Sequence, residues 1–158
     1  AVGIALALSK ISKPFHGAKK PNHFLNNSTF KGYNGNSSVP NSWLSENAEN
    51  VTAYNDDELC GFVFTTNGFI NLFKLQKGAF NAKDWNVSNE NLPIFVIAGS
   101  DDPVIGSKEK FGKLVLFLKK LGYNNVDATL YKNNRHEILN EKNKLEIYAD
   151  VLNFFELK

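Results

Sequence analysis

A chain of 158 residues that is 42% hydrophobic and 22% charged has enough apolar side chains for a buried core and too many for a disordered composition. Its net charge of +2, from 18 basic against 16 acidic residues, argues against a nucleic-acid footprint, and no lysine run is longer than two. The single cysteine, Cys60, excludes an intrachain disulfide and fits a reducing compartment.

The opening "AVGIALALSKISK" has an apolar run of about eight residues, against roughly 20 for a bilayer span, and lacks a basic leading region. No methionine starts the chain, which leads us to expect a processed start or a piece of a longer protein. Residues 1 to about 90 read as short helices without a strong strand. Ile4, Leu8 and Ile11 share one helical face, and Pro14 limits that helix. "NHFLNN" and "SWLSENAENVTAYNDD" read as further helices, the second starting at a Ser45 cap. In "TNGFINLFKLQKGAF", Phe69, Leu72, Phe73 and Gln76 recur at helical spacing, with Gly78 as the stop. Asn-x-Ser/Thr triplets at Asn26, Asn27, Asn36, Asn50 and Asn86 are expected by chance in a chain with 22 asparagines.

From residue 91 the pattern changes. "LPIFVIAG" is an apolar strand entered through Pro93, and "SKEKFGKLVLFLKKLG" is an amphipathic helix capped by Ser107 and ended by Gly122. Phe111, Leu114, Val115 and Leu118 line its apolar face. "VDATLYK" alternates as a second strand through Val126, Ala128 and Leu130. "NNRHEILNE" is a loop, and a closing helix turns Leu145, Tyr148, Leu152 and Phe155 inward. Strand, helix, strand, loop and helix make an α/β unit with a parallel sheet. Two strands are few for an independent sheet, so this half reads as the end of a larger one.

The strand at 94 ends in "GSDDP", and the next strand ends before His136. Loops after neighbouring parallel strands leave the same sheet edge, so Asp102 and His136 are expected to meet there. A carboxylate on one imidazole nitrogen fixes the tautomer and leaves the other nitrogen to take a proton from a nucleophile. A solvated turn and a solvated loop histidine form the plain alternative. "HEILNE" lacks the second histidine of a zinc helix, since position 140 is Asn, and no metal is expected. Arg135, the only arginine, is expected in a surface ion pair with Glu137 or Glu141, which read as loop and helix-start residues. Trp43, Phe62, Phe64, Phe69 and Phe73 read first as core packing.

"NLPIFVIAGSDDPVIG", "YKNNRHEILNE" and "VLNFF" together resemble the C-terminal part of α/β-hydrolases of the lysophospholipase and monoacylglycerol lipase type, the serine aminopeptidase family. "SWLSENAENVTAYNDDELCGFVFT" resembles that group's cap, in which a Trp-Leu pair precedes a Tyr and an acidic-Cys-Gly-Phe segment. The likeness covers roughly residues 40 to 158, and more loosely the helix before them. It implies an α/β fold with a helical cap over 1–90 and the last part of the core sheet over 91–158. It places the catalytic acid at Asp102 and the catalytic histidine at His136, with Asp101 as a turn residue. Trp43, Phe62 and Phe64 become candidates to line an acyl pocket under the cap.

Two departures stand out. Asn133 and Asn134 replace the family's Pro-Gly-Ala type turn, and no Gly-x-Ser-x-Gly nucleophile elbow occurs anywhere. The chain therefore reads as a fragment with two of three triad members, inactive alone, from a cofactor-free serine hydrolase of lysophospholipids, monoacylglycerols or similar esters. Its expected partners are such an ester, the missing N-terminal half and other copies of itself, and not nucleic acid. Its expected place is the cytoplasm, with a peripheral membrane position as the variant. The competing reading is a non-catalytic binding module derived from the same fold.

Overall fold

The computed structural model describes residues 2–157, which pack as two compact units. Among the described residues one comprises 2–32 and 61–86, the other 33–60 and 87–157.

The first unit is helical. Helix α1 spans Val2–His16, α2 spans His23–Thr29 and α4 spans Thr66–Ala79, while α3, Ala48–Asp56, belongs to the other unit. Leu25, Phe69 and Phe73 form its core, with Val2, Ala5, Leu6, Phe30 and Phe64 packed around them. The inward face of α1 carries Ala5, Ser9 and Ser12, and small side chains allow its close packing on α4. Ile4, Leu8 and Ile11 do share a face, but it is exposed. Pro14 sits inside the last turn and the helix ends only at Gly17, whose φ of 80° suits a residue without Cβ. The fully buried Asn22 ties the unit together. Its amide donates to Ser12 Oγ and Thr66 Oγ1, and its carbonyl accepts the Leu25 N–H as the cap of α2.

The second unit holds the sheet. Strand β1, Ile94–Gly99, pairs in parallel with β2, Val126–Tyr131, in the register Ile94 to Val126 through Gly99 to Tyr131. Between them runs α5, Lys108–Leu121, which packs on β2 with Phe111 and Leu118 buried. Both its expected ends hold: Ser107 Oγ accepts from Lys110 N–H, and Gly122 closes the helix in the left-handed region. In β2 the inner ends, Val126 and Tyr131, are buried while Ala128 is exposed, so burial does not follow the expected alternation.

Helix α6, Lys144–Leu157, reverses the expected orientation. Ile147 is completely buried with Tyr131 and Ile138, Val151 joins that cluster, and Phe154 stacks on Phe95 at 5.3 Å. Leu145, Tyr148, Leu152 and Phe155 lie on the exposed side. Both faces are apolar, so periodicity identifies the helix without choosing its inner face. One helix start and one helix stop also shift. Helix α3 is capped by Asn47 rather than Ser45, and α4 runs past Gly78 to Ala79. Ser45 Oγ is engaged by Glu141 instead, at 3.0 Å.

Candidate active site

Strand geometry brings the site together. The ladder continues past β1 as Ser100 N–H donates to Tyr131 C=O at 2.8 Å and Asp101 N–H to Asn134 C=O at 2.9 Å. Asn133 N–H donates to Ser100 Oγ at 3.0 Å. The two strand-end loops therefore run side by side. Gly99 permits this approach: a Cβ there would lie 2.1 Å from the Asn134 oxygen and 2.2 Å from that of Arg135. Asn133 takes φ 61°, a left-handed conformation that asparagine tolerates better than most residues, so the loop turns without the family's glycine.

Within this frame His136 Nδ1 lies 3.0 Å from Asp102 Oδ2. Asp102 is 8% exposed, and its Oδ1 accepts the Val104 N–H at 2.8 Å, so both carboxylate oxygens are held. The hydrogen bond to Asp102 raises the pKa of His136 above the ordinary imidazole value, against the opposing effect of partial burial. A carboxylate on Nδ1 favours the tautomer with its proton there, which leaves Nε2 as the basic nitrogen.

Trp43 is brought to the same place, its ring centroid 5.1 Å from that of His136. Tyr33 packs edge-on to Trp43 at 5.3 Å. Burial, and then the Asp102 charge, push the Tyr33 hydroxyl pKa up, so the phenol stays neutral beside the site. Phe62 and Phe64 belong to the first unit, where they contact each other at 5.6 Å and Phe64 packs on Phe69. Asp101 is an exposed turn residue bonded to Ser100 Oγ at 2.7 Å.

The Arg135 side chain makes no ion pair with Glu137 or Glu141. Its guanidinium binds the Glu46 carboxylate and the Ser42 carbonyl. Glu137 accepts from Asn50 Nδ2 at 2.6 Å. Glu141, expected at a helix start, is 1% exposed and accepts from Arg135 N–H, Glu46 N–H and Ser45 Oγ. Its partners on one side lie 95 and 96 residues away in sequence, a distance that no local pattern reports. Among the described residues no group of three His, Cys, Asp or Glu is placed to hold a metal ion, and no helix is long and apolar enough to cross a membrane.

Parallel strands that deliver an aspartate and a histidine from adjacent C-terminal loops define an α/β-hydrolase core. The chain belongs to the serine aminopeptidase S33 family, whose model matches residues 3–143 and so extends the likeness from the sheet back to α1. Comparison with curated proteins finds no match. Among solved structures, a thermostable carboxyl esterase from Bacillus coagulans aligns with TM-score 0.83 at 20% identity, covering 98% of this chain and 52% of that one. A lipase in its open form aligns with TM-score 0.75 at 22% identity, covering 98% and 50%. The monoacylglycerol lipase of Paleococcus ferrophilus aligns with TM-score 0.64 at 18% identity, covering 96% and 51%. These likenesses are of fold, and the chain spans about half the length of each of these structures.

Proposed function

We propose that this chain carries the acid and base of a serine esterase that cleaves monoacylglycerols, lysophospholipids or related carboxylic esters. The observation that carries the reading is the 3.0 Å contact of His136 Nδ1 with the buried Asp102 at the C-terminal edge of a parallel strand pair. The nucleophilic serine would come from sequence outside these 158 residues, because no Gly-x-Ser-x-Gly elbow occurs within them. That serine's Oγ adds to the ester carbonyl as its proton passes to His136 Nε2. Asp102 stabilises the imidazolium, which then returns the proton to the departing alcohol; water repeats the cycle on the acyl-enzyme. No cofactor or metal enters these steps.

Residues 1–90 would serve as the cap, and Trp43, beside His136, is the apolar wall nearest the chemistry. Phe62 and Phe64 remain proposed acyl contacts. The first unit holds eight lysines against one carboxylate, Asp84, a balance that favours a peripheral position at an anionic lipid surface. The exposed apolar face of α6 supports association with the missing half or, without it, with another copy.

A fluorophosphonate probe tests the reading when applied to this chain and to the longest reading frame that contains it. A single adduct on the long form and none on the short one supports it. An adduct on neither would favour a non-catalytic module, the reading that the absent elbow also suits.

A further inference from the structure

The backbone N–H groups of the residues that flank His136 are anchored to one segment, residues 42–46, that of Glu137 directly and that of Arg135 through Glu141. After the histidine, Glu137 N–H donates to Leu44 C=O at 2.8 Å. Before it, Arg135 N–H donates to Glu141 Oε1 at 2.7 Å. The same carboxylate accepts Glu46 N–H at 3.0 and 3.1 Å and Ser45 Oγ at 3.0 Å. The Arg135 guanidinium adds its bonds to Ser42 and Glu46 on the outside of this joint.

A carboxylate that is 1% exposed is costly to bury unless its lone pairs are filled, and here backbone and hydroxyl donors fill them. The short 3-10 helix Ile138–Asn140 lies between His136 and Glu141, so the loop folds back until the carboxylate reaches the Arg135 N–H, in the residue before the histidine. The segment it holds also carries Trp43, whose ring packs on the imidazole.

We propose that Glu141 is a positioning residue: by joining the Arg135 peptide to Ser45 and Glu46, it holds His136 against Asp102 and Trp43 against His136. The inference rests on the reading of Asp102 and His136 as the catalytic pair. Glu141 touches no reacting atom. Its role is to deny the histidine loop the freedom that would let the imidazole swing off the carboxylate. A glutamine is a poor replacement: its oxygen can still take the Arg135 and Glu46 N–H groups and its amide can donate to the Ser45 hydroxyl, but the charge that strengthens these contacts is gone and the second branch to Glu46 N–H is lost. An aspartate keeps the charge but shortens the reach.

The test is an NMR titration of the three histidines in the 158-residue chain, with His16 and His23 as internal references. In E141Q the His136 midpoint should fall by about half a pH unit or more toward the ordinary imidazole value, with loss of the hydrogen-bonded Nδ1 proton signal and His16 and His23 unchanged. E141D should recover part of the shift. If E141Q does not fold, S45A removes one donor from Oε2 and should move His136 the same way by less. A chain that loses stability in E141Q, or folds with S45A, while His136 titrates as in the unaltered protein overturns the proposal, since a purely structural role predicts that result. D102N separates the two readings. His136 unmoved by D102N overturns the acid–base pair and the proposal with it, whereas His136 moved by D102N but not by E141Q overturns the positioning role alone.

Discussion

Replacing Gly99 by alanine should disrupt the site without touching Asp102 or His136. The added Cβ would meet the Asn134 oxygen at 2.1 Å, the Arg135 oxygen at 2.2 Å and the Asn134 carbonyl carbon at 2.4 Å. All three are backbone atoms, so no side chain can rotate away. Restoring contacts of ordinary van der Waals length, 3.4 Å or more, requires the backbone at 134–135 to retreat by about 1.3 Å or more, across a joint that Asp101 N–H and Ser100 N–H now close. Overpacking of this kind costs about 1–3 kcal/mol, and each backbone hydrogen bond lost adds about 1 kcal/mol. We expect G99A to lose about 2–4 kcal/mol, read as a lowered denaturant midpoint at unchanged slope. The retreating backbone leads into His136, and under the proposed role of His136 as the base a misplacement of about 1 Å would cost on the order of 100-fold in rate. The half-buried Gly112 inside α5, where a Cβ meets nothing within 4 Å, serves as the control, and G112A should gain up to about 1 kcal/mol. A G99A chain as stable as the unaltered protein, with His136 still on Asp102, would refute the steric reasoning.

Three further outcomes follow from the packing and the site. I147A should cost about 2–4 kcal/mol because Ile147 is fully buried between Tyr131 and Ile138, while L145A on the exposed face should stay within about 0.5 kcal/mol; equal losses in chemical denaturation would reverse the assigned orientation of α6. N22A strips partners from the buried Ser12 and Thr66 hydroxyls and removes the α2 cap, for an expected loss above about 2 kcal/mol by thermal unfolding; a loss under about 0.5 kcal/mol would deny Asn22 its part. His136 has its pKa raised in the folded chain, so the Asp102–His136 contact stabilises fully below the unfolded imidazole value and fades as pH rises through the folded one. Stability measured against pH should therefore fall across that window in the unaltered chain more than in H136N, and a parallel pair of curves would contradict it.

What could be read in the sequence was what local chemistry encodes. The ends of α5 were legible because Ser107 and Gly122 are signals at both termini, and β1 because its apolar run stops at a glycine and two acids. The acid and the histidine were legible as residues following successive strands, and the parallel register brings them within 3.0 Å. The inner faces of α1 and α6 were not. Each helix offers two apolar stripes, and the buried one is chosen by partners elsewhere in the chain: small residues against α4 in the first case, the Tyr131 cluster in the second. Glu141 was illegible for the same reason. Its spacing after His136 suits a helix start, and only the fold carries Ser45 and Glu46 to it. Arg135 likewise found Glu46 rather than its sequence neighbours.

The central claim is that His136, held by Asp102, is the general base of an ester hydrolase. It is tested most directly by comparing ester hydrolysis by the longest reading frame containing this chain with that of its H136A form, using a monoacylglycerol at saturating concentration. The account predicts a fall in kcat of about 10⁴-fold or more, with the denaturant midpoint of the folded protein little changed. An H136A enzyme that turns over at the unaltered rate would contradict it.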